Sequence, residues 1–387
     1  MRRIAPHVAV SLFYAASFAV LGVQLPYFNL YLDTLGLGGL SIGIVNAILP
    51  LCSALVPFAG GLLADRLGRR RGLVLVSSIL AFVAFLPIVL ARGVGGIAVI
   101  TAIYALARAP ALPLVDASAL EIAAAGGPSY GRMRAWGSFA FIVAALAGAP
   151  VVALAGEDSV LVMMLLFLGV GIAVAWYLPQ DQKPLLTPEA PGSVRAVLRR
   201  RGALLFLVAA VLSQAAHGPY YVFFSLHLKG AGIPTTTVGL MWAVAIACEI
   251  LMMLRMPAVL ERFGTARTMT LCLGLSTLRW AVCAGTTHPM AVALAQTFHA
   301  GTFAAFHVAA VTHTHRLFGP RRSATGQAMF SSVTYGLGNI LGMVGSGLLE
   351  GRFGTSALFA MASATALLGA TCMALVEWRS DRAPSSH

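Results

Sequence analysis

The chain has 387 residues, of which 59% are hydrophobic and 10% charged, and its mean hydropathy is +0.86. Soluble domains carry roughly 25% charged residues, so an ordinary soluble domain is excluded. The formal charge of +13 does not indicate a nucleic-acid partner: the Arg residues fall at the ends of apolar runs, without basic–aromatic stripes, as the positive-inside rule expects.

A spanning helix needs about 20 apolar residues, and backbone in lipid must satisfy its own hydrogen bonds. The apolar runs therefore read as helices, and the alternation of an outer-membrane barrel is absent. In chain order they predict spans at 8–32, 41–64, 72–91, 96–120, 132–155 and 159–178, then at 203–228, 236–257, 268–286, 290–313, 324–348 and 355–377. The expected fold is an all-α membrane protein with twelve transmembrane helices in two six-helix halves. The first run is too long for a removable signal peptide, and Pro26, Tyr27 and Asn29 occupy the place of a small-residue cleavage site.

Residues 179–202 are the longest polar interruption, with Pro179, Pro184, Pro188, Pro191 and the run Arg199-Arg200-Arg201. They predict an amino-terminal bundle over 1–178, a cytoplasmic linker over 179–202 and a carboxy-terminal bundle over 203–387. A weak repeat supports the division: Ala64-Asp65-Arg66-Leu67-Gly68 corresponds to Leu260-Glu261-Arg262-Phe263-Gly264. Cations crowd the termini and the even-to-odd loops, whereas the opposite side holds only Arg92, Lys229 and Arg352. Both termini are thus expected in the cytoplasm, in a multi-pass protein of a bacterial inner membrane.

Between the second and third spans the chain reads Gly61-Leu62-Leu63-Ala64-Asp65-Arg66-Leu67-Gly68-Arg69-Arg70. This Gly-x-x-x-Asp-Arg-x-Gly-Arg-Arg pattern resembles the signature loop of major facilitator superfamily transporters, matching at every fixed position. Asp65 can accept charge-assisted hydrogen bonds from neighbouring Arg residues and from the helix N-terminus that follows. Gly61, Asp65, Arg66, Gly68, Arg69 and Arg70 are therefore the candidate conformational latch. The plain alternative is an anchor of Arg residues that only sets topology, for which Asp65 would not be needed. Two parallel six-helix repeats with a midplane substrate site between them are what the resemblance implies.

Ionisable residues inside spans are costly and mark function. They are Arg108 and Asp116 in the fourth span, with Glu121 at its end, and Arg132 and Arg134 opening the fifth. The second half adds His217, Glu249, Arg279, His299 and His307. Gln214, His217 and Tyr221 share one helix face, and Gln296, His299, Phe303 and Phe306 form a second stripe. A lone membrane His is usually a helix–helix hydrogen bond, but two such stripes together with Glu249 and Arg279 favour a cavity lining.

Tyr130-Gly131-Arg132-Met133-Arg134-Ala135-Trp136-Gly137-Ser138 resembles the start of the fifth span in the 3-phenylpropionate permease and lactose permease branches of the superfamily. Gln214 to Tyr221, and Leu278-Arg279-Trp280 through Phe303, are similar to the phenylpropionate branch in particular. The lactose-permease pattern implies a substrate pair at Asp116 and Arg134, and further substrate-side residues at Glu249, Arg279 and His299. Asp116–Arg134 can instead be a structural ion pair. Two departures matter: the tenth-span Lys is Gln296 here, and the proton-coupling carboxylate is Thr302. Coupling is then expected at Glu249, His299 and Asp116, and substrate binding at Asp116, Arg134, His217, Tyr221, Glu249, Arg279 and His299.

No Gly-x-x-x-x-Gly-Lys-Ser/Thr loop or His-Glu-x-x-His motif is present, so neither an ATP-driven pump nor a metalloprotease is expected. The five cysteines lie inside spans without Cys-x-x-Cys spacing and read as packing residues. No metal or cofactor is expected, and the chain is not expected to be an enzyme. The expected activity is proton-coupled import of a small organic solute by a monomer, with protons and the bilayer as its other partners. The resemblance points to an aromatic monocarboxylate such as phenylpropionate. A nucleoside or sugar symporter, a drug-efflux antiporter and a non-transporting receptor on the same fold stay open.

Overall fold

A computed structural model describes residues 4–67, 70–179, 202–318 and 323–381, with the side chains of residues 56–67, 323–325, 328 and 379–381 outside the description. The first unit begins with α1 (Pro6–Val23), a π-helical turn (Gln24–Phe28) and α2 (Asn29–Thr34), which run on as one rod. It continues with α3 (Gly39–Leu67), α4 (Arg70–Phe85), α5 (Val94–Arg108), α6 (Ala111–Ala124), α7 (Tyr130–Ala155) and α8 (Ser159–Ala175). From Ala203 onward come α9 (Ala203–Gly230), α10 (Thr235–Gly285), α11 (Pro289–Thr297), a π-helical stretch (Ala300–Ala305) and α12 (Phe306–Phe318). The chain closes with α13 (Ser323–Ser331), a third π-helical stretch (Ser332–Gly338) and α14 (Asn339–Asp381). Among the described residues, seven helices are long and apolar enough to cross a membrane.

Two of the longest helices are broken by glycine. Gly264 inside α10 has φ 69° and Gly354 inside α14 has φ 74°, a left-handed conformation that only glycine adopts without steric cost. The same chemistry ends the earlier segments at Gly36 (φ 73°) and Gly232 (φ 77°). Those two turns share a bonding pattern: Gly36 N–H donates to Asp33 O and Leu37 N–H to Leu32 O, as Gly232 does to Lys229 O and Ile233 to Leu228 O. Gly264 is the repeat partner of Gly68, which lies outside the described residues. The internal repeat therefore extends to turn geometry.

The predicted fourth span lies within one candidate membrane span, Val94–Ala124, that is interrupted in its middle. Pro110 has no N–H to continue the ladder, so the run divides into α5 and α6 directly after Arg108. At the start of α7, Ser129 Oγ accepts from the Arg132 N–H at 3.4 Å and caps the helix.

Contacts between Cα atoms divide the chain into two compact units, one over 1–187 with 228–243 and one over 188–227 with 244–387. Burial shows which helices lie inside: 56% of the apolar window of Pro6–Thr34 and 67% of that of Ala203–Gly230 are buried, against 28% to 39% for the other five candidate spans. The outer helices present apolar side chains such as Leu90, Leu154 and Leu254, at 80%, 89% and 74% exposure. Water would disfavour that surface, and lipid tails suit it.

Small residues set the close crossings, as in membrane bundles generally. In the first unit a Cβ on Gly22 would lie 2.5 Å from the Phe141 carbonyl oxygen. In the second, Gly218 faces the backbone of Gly342 directly. Phe13, Tyr14, Leu114 and Met133 fill one core, and Phe206, Met269, Phe306 and Phe330 the other.

Candidate functional site

The second unit assembles a polar cluster around one fully buried guanidinium. Arg279 Nη1 donates to His299 Nδ1 at 2.9 Å and to Thr302 Oγ1 at 3.0 Å, and Nη2 donates to Gln296 Oε1 at 2.7 Å. Its Cζ lies 4.4 Å from the Tyr220 ring centroid and 4.3 Å from that of Trp280, so two aromatic faces hold the cation. The π-helical stretch Ala300–Ala305 begins one residue after His299 and carries Thr302 and Phe303. That local rewinding is what aims His299 and Thr302 at the same guanidinium.

The bond from Arg279 fixes the tautomer of His299. Arg has donors only, so Nδ1 must be the acceptor and the ring proton sits on Nε2. That nitrogen faces Glu249 Oε2 at 3.5 Å. The order is thus Arg279, neutral His299, Glu249. A proton added at Nδ1 would oppose the guanidinium, which leaves Glu249 as the carboxylate of the row. Arg279 Nε and Gln296 Nε2 are buried donors with no acceptor among the described residues.

His217 lies beside this row. Its Nδ1 donates to Ser213 O at 2.8 Å, which leaves Nε2 as a buried acceptor with no partner among the described residues. Its ring meets Trp280 edge-on at 5.1 Å, Tyr221 at 5.9 Å and His299 at 6.3 Å. The two expected stripes therefore meet: Tyr221 with His217, and His299 with Phe303, stacked at 5.3 Å and 6°. Phe306 departs from its stripe and packs in the apolar core. Sequence reasoning missed Trp280 and Tyr220 as the walls of Arg279, and the His307–Tyr335 pair at 2.5 Å. The signal for the first was the adjacency of Arg279 and Trp280.

The first unit treats its own pair differently. Asp116 Oδ1 accepts from Tyr14 Oη at 2.5 Å and from Tyr130 Oη at 3.2 Å. Arg134 lies 3.6 Å from the Phe18 centroid and 5.6 Å from that of Tyr14. Asp116 and Arg134 thus share Tyr14 as a neighbour, and no ion pair joins them among the described residues. Two hydroxyls answer the carboxylate, and the guanidinium is stacked on rings. Tyr14 and Phe18 had no motif to announce them.

Of the latch residues, Gly68 and Arg69 lie outside the described residues, as do the side chains of Asp65 and Arg66 and the surroundings of Gly61. Arg70 is described, and its Nη1 meets Glu121 Oε1 at 2.5 Å, tying the start of α4 to the end of α6. No group of three or more His, Cys, Asp or Glu able to hold a metal occurs among the described residues.

Comparison with known proteins agrees with this architecture. The model of the MFS_1 like family matches residues 7–361. The chain is 28% identical over 364 residues to a protein named probable 3-phenylpropionic acid transporter of Escherichia coli (strain K12), covering 91% of this chain and 93% of that one. It is 27% identical over 378 residues to maltose permease of Geobacillus stearothermophilus, covering 95% and 94%. A crystal structure of a mutant nucleoside transporter NupG superposes with a TM-score of 0.84 at 19% identity, covering 96% of this chain and 99% of that one.

Proposed function

Because the chain belongs to the MFS_1 like family of membrane transporters, we propose that it imports an aromatic monocarboxylate together with a proton by alternating access. The observation that carries this reading is the Arg279–His299–Glu249 row. It holds one permanent cation and one ionisable anion, with a neutral imidazole between them. Adding a monocarboxylate leaves the row with an excess negative charge, and protonation of Glu249 removes it. One proton with one monoanion is the balanced load. The unsatisfied Arg279 Nε suits a carboxylate, and Trp280, Phe303 and Tyr221 are flat apolar walls for a ring. Relationship to the 3-phenylpropionic acid transporter supports the same class.

In this account Asp116, Arg134, His217 and Tyr221 complete the substrate contacts, and His299 and Asp116 assist Glu249 in coupling. The two six-helix halves, joined by a cytoplasmic linker over 179–202, alternate between open sides while both termini stay in the cytoplasm of a bacterial inner-membrane monomer. The Asp65 loop is the latch for one of those states. Asp65→Asn should insert normally and transport poorly; wild-type uptake at equal expression would leave the loop a purely topological role.

A second reading, a neutral hydroxylated solute, is favoured by one feature. His217 Nε2 is a bare acceptor that calls for a hydroxyl or N–H donor, and maltose permease is among the relatives. A thermal-shift competition screen of aromatic acids, sugars and nucleosides on purified protein separates the two. The proposal expects stabilisation by aromatic acids alone. Stabilisation by a sugar or nucleoside that aromatic acids fail to displace would overturn it.

A further inference from the structure

The first unit holds Arg134 in a way that spends none of its hydrogen-bonding capacity. Its Cζ lies 3.6 Å from the Phe18 ring centroid. That is too close for an N–H to point at the ring, so the planar guanidinium lies flat on it. Stacking of this kind steadies a cation electrostatically and leaves the N–H groups directed outward in the guanidinium plane. Among the described residues, no hydrogen bond or ion pair reaches those groups. Arg134 and Phe18 are each partly exposed, so the fork is not sealed in the core.

The nearby carboxylate is answered without it. Asp116 accepts from the hydroxyls of Tyr14 and Tyr130, and the Tyr14 ring also lies 5.6 Å from Arg134 Cζ. Gly137 completes the arrangement. It follows Arg134 one turn later on α7, on the same face of the helix. A Cβ there would stand 3.0 Å from Arg134 Nη1 and 3.0 Å from Phe18 Cδ2. The stack closes only because this position is bare.

We infer that Phe18 and Gly137 are positioning residues, which preset Arg134 as a free bidentate fork for the carboxylate of the transported acid. A loose arginine side chain has rotamer freedom that binding must remove, and a fork already fixed in its plane loses less. A guanidinium tied to Asp116 would have to release one carboxylate to take another. The inference rests on the monocarboxylate reading and deepens it in the first unit, apart from the Arg279 row.

The test is saturation of 3-phenylpropionate counterflow by the full-length protein in proteoliposomes, with KM and maximal rate read separately. Phe18→Leu removes the ring face and keeps an apolar side chain. Gly137→Ala adds one methyl group, to which the far end of the Arg134 side chain can yield, so the fold is kept while the fork moves. Each should raise KM about tenfold, the scale of a lost charge-assisted hydrogen bond, with the maximal rate within about twofold. Phe18→Tyr keeps the ring face and should keep the wild-type KM. Arg134→Gln should raise KM at least as much as Phe18→Leu, and adding Phe18→Leu to it should change nothing further. Wild-type KM in both Phe18→Leu and Gly137→Ala would overturn the inference and leave the monocarboxylate reading standing. So would a full Phe18→Leu effect in the Arg134→Gln background, which marks a packing role. A wild type that exchanges no aromatic acid would overturn that reading, and the inference with it.

Discussion

In the proposed symport, coupling turns on Glu249. His299 is held neutral by the donor from Arg279 and points its Nε2 proton at Glu249. Removing the ionisable oxygen should therefore separate coupling from passage. Glu249→Gln is expected to abolish uphill accumulation while retaining substrate exchange within about threefold, since an amide still accepts from His299. Counterflow and gradient-driven uptake, measured side by side in vesicles, check this; continued uphill accumulation would move coupling to Asp116. The components of the row were legible in the chain as costly mid-span charges. Their order was not. Nothing in spacing says that His299 lies between Arg279 and Glu249, or that Tyr14, 102 positions from Asp116, answers that carboxylate in place of Arg134. Such choices depend on which side chains meet across helices, and a hydroxyl can displace a guanidinium at no cost visible in the sequence.

At the level of helices, the apolar runs announced the elements, and glycine and proline decided their ends. Pro110 divides the fourth span, and Gly264 and Gly354 break what are otherwise continuous helices. The π-helical stretches were not read from the chain, although each carries a helix-weakening residue: Pro26 in the first, Gly301 in the second, and Gly336 and Gly338 in the third. Close crossings give a direct test. Gly218 has no room for a Cβ against the Gly342 backbone, so Gly218→Ala must push α9 from α14. Overpacking of this kind costs about 1–3 kcal/mol. A thermal melt of purified Gly218→Ala should show a clear loss, whereas Gly345→Ala, with open space around it, should melt like the wild type.

Outside the membrane, Lys229 Nζ meets Glu157 Oε1 at 2.6 Å, and the bond to Lys229 holds the Glu157 carboxyl below its ordinary range. A depressed carboxyl stabilises the fold above the ordinary carboxylate pKa, and the effect is lost as pH falls through the lowered value. Both side chains are partly exposed, so less than about 1 kcal/mol is expected. The melting difference between wild type and Glu157→Gln should be present at neutral pH and close below the carboxylate range. A difference that persists in acid would show that the bond is not the source.

For the whole molecule, composition alone excluded a soluble protein, and the loop resemblance pointed to the family that the comparison then established. The repeat was legible only as a short stretch around Asp65 and Glu261, yet its turns reproduce one another at Gly36 and Gly232. Substrate class is less visible at this scale, because relatives named for a phenylpropionic acid and for maltose share the architecture at nearly equal identity. In the proposed reading, the charge balance of the Arg279 row discriminates between them. The most direct measurement is uptake of radiolabelled 3-phenylpropionate into proteoliposomes of purified protein, with the pH gradient and a valinomycin-set potential varied independently. One proton with one monocarboxylate predicts accumulation that rises as external pH falls and is indifferent to the potential. Accumulation that follows the potential without a pH gradient, or robust uptake of maltose or a nucleoside that 3-phenylpropionate does not inhibit, would contradict it.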